Sequence, residues 1–299
     1  MLAPPAGANI AIGEPAGAAY ALVKASRAFA ARFHNEPQSY KEDMAAFMRC
    51  CAAIKSELDS HIKNGTWEAG ELPPGRHEIS SQRVFKTKVN ANGSLRYKAR
   101  LVVRGFEQRE DLDYQETFTP VAKFPTSRVL LALAAHFDWE IHHMDVKTAF
   151  LYPELKETVY TMPPEGYGKF LPDHKPIPKM LKLLKCLYGL KQAPFEWYNH
   201  IDKFLRSAGF AHSNEDHDLY LSPESIVLLY VNDILIFGCA LSPVTSLEEF
   251  LSARYSMVDL GEAKQYLGMH IERDRDARTI YLNQTRYITK ILEHFSLQD

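Results

Sequence analysis

Apolar residues recur every three or four positions between 40 and 63, at Met44, Phe47, Cys51, Ile54, Leu58 and Ile62, and Asn64-Gly65 closes the run. That spacing predicts an amphipathic helix over 40–63. After the Pro73-Pro74-Gly75 break, residues 83–89 and 95–103 read as strands. Asn90-Ala91-Asn92-Gly93 between them carries the Asn-Gly pair of a hairpin turn, so the two form one β-ribbon. Ser127 predicts the cap of a helix to about 137, and an apolar strand over 139–146 then ends on a charge. Pro194 opens a helix that carries Trp197, Ile201, Phe204 and Leu205 and stops at Gly209. Residues 226–237 are almost wholly apolar except for Asn232-Asp233 at their middle, as in a tight hairpin between two buried strands. Ser242-Pro243 starts a helix to about 255; strands over 266–273 and 279–282 precede a last helix over 286–295. No internal repeat interrupts this alternation, which predicts an α+β domain with an antiparallel sheet backed by helices on one face.

Composition narrows the classes without choosing among them. With 299 residues, 46% hydrophobic and 24% charged, the chain has material for one large domain or two small ones. Net charge is only -2, so a nucleic-acid partner has to rest on local charge clusters. The longest apolar run, 226–231, has the length of a strand, so no membrane partner is expected. Cys50, Cys51, Cys186 and Cys239 show neither a CxxC pair nor a histidine spacing suited to zinc, and are expected to be buried free thiols in a reducing compartment. Residues 1–36 are rich in Ala, Pro and Gly, with Lys24, Arg27 and Arg32 along a short helical stretch. A flexible linker from an upstream domain is expected there rather than a targeting segment.

Candidate chemistry sits where charge interrupts the apolar pattern. Asp145 and Asp233 both end apolar strands, and burying an unpaired carboxylate costs several kcal/mol. Carboxylates gathered at strand ends suit hard divalent cations. Each residue alone also has an ordinary explanation, Asp145 as a strand-end cap and Asn232-Asp233 as turn residues. Between 83 and 104, Arg83, Lys86, Lys88, Arg96, Lys98, Arg100 and Arg104 occur with no Asp or Glu among them. Alternate strand residues share a face, so Lys98 and Arg100, in step with Arg96 and Arg104, present cations to a polyanion or simply to solvent.

Taken together, NGTWE (64–68), RYKARLVVRGFEQ (96–108), DYQETFTPVAK (113–123), MDVKTAFL (144–151), LYGLKQAPFEWY (187–198) and LLYVNDILIF (228–237) resemble the blocks of copia-type LTR retrotransposon reverse transcriptases, in that family's order. The resemblance runs from about residue 36 to the end. It implies an RNA-directed DNA polymerase with right-hand architecture. Residues 37–125 would be the N-terminal helix and fingers, 126–283 a ferredoxin-like palm with fingers insertions, and 284–299 the start of a thumb, ending before any RNase H domain. Asp145 and Asp233 would be catalytic, and two Mg²⁺ ions, or Mn²⁺ in their place, would bind Asp145, the Val146 carbonyl and Asp233. Lys98, Arg100, Val146, Phe150 and Gln192 would contact the dNTP, with the Phe150 ring under the sugar or, equally, part of the core. Arg104, Gly189, Lys191, Pro194 and Tyr230 would contact an RNA or DNA template-primer. Integrase and RNase H portions of a polyprotein would be partners, and cytoplasmic particles and the nucleus the family's places of work, although nothing in these residues records an address.

One departure stands at the hairpin. The family pattern Tyr-Val-Asp-Asp is here Tyr230-Val231-Asn232-Asp233, so a carboxylate of the expected site is an amide. Arg83 also replaces a usual Trp, and Tyr152-Pro153 a usual Asn-Gly turn. The sequence therefore carries two expectations, a polymerase weakened at Asn232 or a non-catalytic nucleic-acid-binding remnant.

Overall fold

The computed structural model describes residues 47–89, 95–171 and 176–297; the expected linker over 1–36, the first turns of the 40–63 helix and the Asn-Gly turn of the ribbon lie outside the described residues. In chain order the elements are α1 (Phe47–Lys63), β1 (Trp67–Gly70), β2 (Glu78–Ile79), β3 (Ser81–Val89), β4 (Leu95–Val103), α2 (Phe124–Phe137), β5 (Glu140–Val146), β6 (Tyr160–Thr161), β7 (Met180–Leu183), α3 (Ala193–Ser207), β8 (Ala211–His212), β9 (Leu219–Leu221), β10 (Ser225–Tyr230), β11 (Asp233–Gly238), α4 (Leu241–Arg254), β12 (Met257–Glu262), β13 (Gln265–Tyr266), β14 (Met269–Asp274), β15 (Thr279–Asn283) and α5 (Thr285–His294). The described residues fall into two compact units, one made of those within 47–59, 82–102 and 164–176 and the other of those within 60–81, 103–163 and 177–297.

The first unit holds most of α1 and the β3–β4 ribbon. Ile54 and Leu58 on the helix and Phe85, Ala99 and Leu101 on the ribbon are buried, and the Glu57 carboxylate accepts the Leu101 N–H at 3.0 Å, tying helix to ribbon. Because Ala99 and Leu101 point inward, Lys98 and Arg100 share the opposite face. The Arg83 guanidinium donates to the Glu165 carbonyl at 2.6 Å.

The second unit is built on a six-stranded antiparallel sheet in the order β12-β5-β11-β10-β9-β8. Side chains alternate cleanly across its central strands. Met144, Val146, Val227, Leu229, Ile234 and Ile236 face α3 and α4, where they meet Trp197, Ile201, Leu205, Val244 and Leu251. Ile141, Leu228, Leu235 and Phe237 face the other way, against Leu130, Leu131 and Ala134 of α2 and Tyr266, Met269 and Ile271 of the β13–β14–β15 sheet. Helices therefore cover both faces, not one as the alternation alone predicts. The reason is in the strands themselves: β10 and β11 are apolar at nearly every position, so neither face can be left to water. The α+β class and the helix-backed antiparallel sheet hold.

Helix α2 begins at Phe124 with Pro125 in its first turn, which puts the expected cap Ser127 inside the helix, where its hydroxyl donates to the Phe124 carbonyl. The exposed donors at the helix start are met from far along the chain instead: Asp216 accepts the Lys123 N–H at 3.0 Å and the Thr126 hydroxyl at 2.5 Å. Of the cysteines, Cys186 is buried, with its thiol pKa pushed well up by burial, whereas Cys51 is half-buried and Cys239 exposed, contrary to the expectation of buried thiols. No helix among the described residues is long and apolar enough to cross a membrane.

Beside Asp216 lies Asp218, which is 2% exposed, and its Oδ2 has no hydrogen-bond partner among the described residues. Burial, and then the charge of Asp216, push its carboxyl pKa up to about 7 from an ordinary 3.8. Between those values the folded chain holds a proton that the unfolded chain has released. Stability is therefore fully present below about pH 4 and is lost as pH rises to about 7, by roughly 4 kcal/mol in all. Asp218→Asn removes the titrating group, so thermal unfolding should show a variant with a higher Tm above about pH 7 and without the native decline; an unchanged decline would assign it to another group.

Candidate functional site

The site begins with the β10–β11 hairpin. Leu228 pairs with Leu235 and Leu229 with Ile234, and this apolar register leaves Val231 and Asn232 as a two-residue loop. The turn is thus one residue earlier than Asn232-Asp233 at its centre. The shift is consequential, because Asp233 becomes the first residue of β11 and lies directly opposite Asp145 of β5. Val231 has φ 57°, a left-handed conformation that costs a β-branched residue roughly 1–2 kcal/mol. Its carbonyl accepts the indole N–H of the buried Trp197 at 2.6 Å, which fixes the loop against α3.

The polar groups of the hairpin are closely engaged. The Asn232 side-chain amide donates to the Asp145 carboxylate, an orientation the chemistry requires, since an amide oxygen turned to a carboxylate would be repelled. The Asn232 backbone carbonyl accepts the Val146 N–H at 2.8 Å. His143, two residues before Asp145 and on the same face of β5, places Nε2 3.0 Å from Asp233 Oδ1. Tyr230 pairs with Asp233 and packs its ring on the α2 side of the sheet. Phe150, in a short helical turn after β5, is half-buried with its ring edge-on to Tyr188, centroids 5.1 Å apart. Tyr152-Pro153 is absorbed without strain: the Tyr152 hydroxyl accepts the Ser256 N–H at 2.6 Å and its ring packs edge-on to Tyr255.

A second group of expected residues lies in the turn before α3. Lys191 Nζ donates to the Tyr114 hydroxyl at 3.0 Å and stands 4.4 Å over that ring. The Gln192 side chain is 1% exposed, and its amide group is engaged by Gln108 at 2.9 Å, the Asp113 carbonyl at 2.8 Å and Glu157 at 3.2 Å. Gln108 Oε1 also accepts the Lys191 N–H at 2.8 Å. Gly189 has φ +95°, and its carbonyl lies so close to Gly105 that a Cβ there would overlap it. Pro194 opens α3, and Arg104 is exposed beside Glu107. Sequence reasoning missed Gln108, Asp113 and His143. The first two lie inside blocks that match the family, the one signal that pointed to them, and His143 directly precedes the block that begins at Met144.

Lys98 and Arg100 belong to the first unit and the carboxylates to the second. Within the second unit, two strand-end carboxylates therefore face each other on the neighbouring strands β5 and β11, beside the β10–β11 hairpin, on an antiparallel sheet packed by helices. Residues 64–299 match the family described as reverse transcriptase (RNA-dependent DNA polymerase). Relatives include the retrovirus-related Pol polyprotein from transposon TNT 1-94 of Nicotiana tabacum, 41% identical over 88% of this chain and 20% of its own length. The Pol polyprotein from transposon RE1 of Arabidopsis thaliana is 40% identical over 80% of this chain and 16% of its own, and the Ty1-DR4 Gag-Pol polyprotein of Saccharomyces cerevisiae 27% identical over 81% and 15%. Among solved structures, a foamy viral protease-reverse transcriptase in complex with double-stranded DNA aligns with TM-score 0.42 and 12% identity over 80% of this chain and 36% of that one. The chain belongs to the reverse transcriptase family of copia-type LTR retrotransposons, and it spans about a fifth or less of the curated relatives named here.

Members of this family generally use divalent metal ions, but the residues present do not fit a pair of them. Asp145 and Asp233 supply two negative charges, Asn232 adds none, and each carboxylate already accepts a protein donor. Among the described residues, no group of three or more His, Cys, Asp and Glu is arranged to hold an ion.

The contact between Gly105 and Gly189 brings together the two loops that carry Gln108 and Gln192. Gly105→Ala forces backbone apart rather than a flexible side chain, so it should destabilise the chain by about 2 kcal/mol or more in denaturant unfolding. A variant of native stability would mean that the loops are free to separate.

Proposed function

We propose that this chain is a reverse transcriptase domain that grips an RNA or DNA template-primer while its nucleotidyl transfer is held far below the level of an acidic hairpin. The observation that carries this reading is the Asn232 amide bonded to Asp145. An acid at that position would add a negative charge beside Asp145 and Asp233, and the amide instead fills the space with a hydrogen-bond donor. Divalent ions, Mg²⁺ or Mn²⁺, would then lack one of the charges that concentrates them where the phosphates react.

Binding depends on other groups. The cationic face of the ribbon, with Lys98 and Arg100, suits the phosphates of a dNTP or of a strand, and needs no carboxylate. Arg104, Gly189, Lys191, Pro194 and Tyr230 are the proposed template-primer contacts, and Phe150 the proposed contact to the sugar. Gln192 would act from inside the protein, through the turn it stabilises, because its side chain is buried among Gln108, Asp113 and Glu157. Integrase and RNase H portions of a polyprotein are proposed partners by family.

Primer extension on an RNA template with dNTPs and Mg²⁺ or Mn²⁺ tests the chemistry. The native chain should run about 100-fold or more below Asn232→Asp, and Asp145→Asn should extend nothing. Equal rates for the native chain and Asn232→Asp would sink the proposal.

Binding is tested separately with labelled template-primer. Affinity should fall by tenfold or more between roughly 50 and 200 mM salt and stay the same when EDTA replaces Mg²⁺ at matched ionic strength. A severalfold loss in EDTA would mean that an ion, and not the cationic face, carries the grip.

A further inference from the structure

His143 has no part in the chemistry considered so far, yet it is the group that touches Asp233. It is 8% exposed on β5, opposite Leu235 and so diagonal to Asp233 across the β5–β11 pair. Its ring stands edge-on to the buried Tyr266, with centroids 6.0 Å apart. An ionised carboxylate offers only acceptors, so the 3.0 Å contact requires the proton to sit on Nε2. The ring is therefore fixed by packing on one side and by a charge-assisted hydrogen bond on the other.

Asp145 is held in a parallel way by the Asn232 amide. Two carboxylates directly opposite on neighbouring strands repel each other. In an all-acid hairpin a divalent cation relieves that repulsion, whereas here each carboxylate meets a hydrogen-bond donor of the protein. We propose that His143 is the positioning residue of Asp233 and that, with Asn232, it forms a clasp that keeps the carboxylate pair in place without a divalent ion. The proposal rests on the reading of Asn232 given above, and extends it from lost chemistry to a hairpin whose stability is set by two side chains of the chain itself.

Thermal unfolding in EDTA and in Mg²⁺ tests the clasp on four proteins, the native chain, Asn232→Asp, His143→Leu and His143→Gln, with template-primer affinity measured on the same samples. The native Tm should be the same in both solutions. Asn232→Asp should melt roughly 3–10 °C lower in EDTA and regain most of that loss in Mg²⁺. His143→Leu, which leaves Asp233 without its donor, should fall by a similar amount in both solutions, and His143→Gln, which keeps a donor without the ring, should recover most of it. A native Tm that rises with Mg²⁺ as steeply as that of Asn232→Asp overturns the clasp. So does a His143→Gln protein as unstable as His143→Leu, since the ring would then act only by packing; if His143→Leu does not fold, His143→Gln against the native chain decides the point. Loss of template-primer binding with the expected melting pattern would discard the functional reading and keep the clasp, and the reverse result would do the opposite.

Discussion

The pairing of β5 with β11 is the constraint on which the six-stranded sheet and its candidate site depend. Both strands are clothed on two faces, so their register is set by which apolar side chains meet which core, and a slip of one residue would turn every one of them to the wrong side. Asp145 and Asp233 are brought opposite each other as a by-product of that apolar register. The register sets the two residues opposite each other, and the Asn232 amide and the His143 ring then hold their carboxylates.

This explains which parts of the structure could be read from the chain alone. The ribbon, the hairpin and the helices declare themselves through local periodicity, and α4 and α5 begin within a residue or so of the expected positions. What escaped was non-local. Ser127 has the chemistry of a cap, but Asp216, ninety residues away, performs that task. Asn232-Asp233 has the composition of a turn, but apolar pairing on either side moves the turn to Val231-Asn232 and places an unfavoured valine in it, secured by Trp197. Gln192 looks like a loop residue open to a ligand. Its burial follows from Gln108 and Asp113, whose approach no spacing rule anticipates.

The departures from the family pattern have been accommodated to different degrees. Arg83 finds a carbonyl, and Tyr152 joins an aromatic cluster around Trp197 and Tyr255. Asn232 is the best fitted of all, bonded through both its side chain and its backbone carbonyl.

That smooth fit has a genetic side. Asparagine and aspartate have the same shape and their codons differ only in the first base, so the hairpin of Asn232 is separated from an acidic one by a single A-to-G transition. Because the β5–β11 register is set by apolar side chains, that exchange alters charge and hydrogen bonding at the hairpin and leaves the strand pairing as it is.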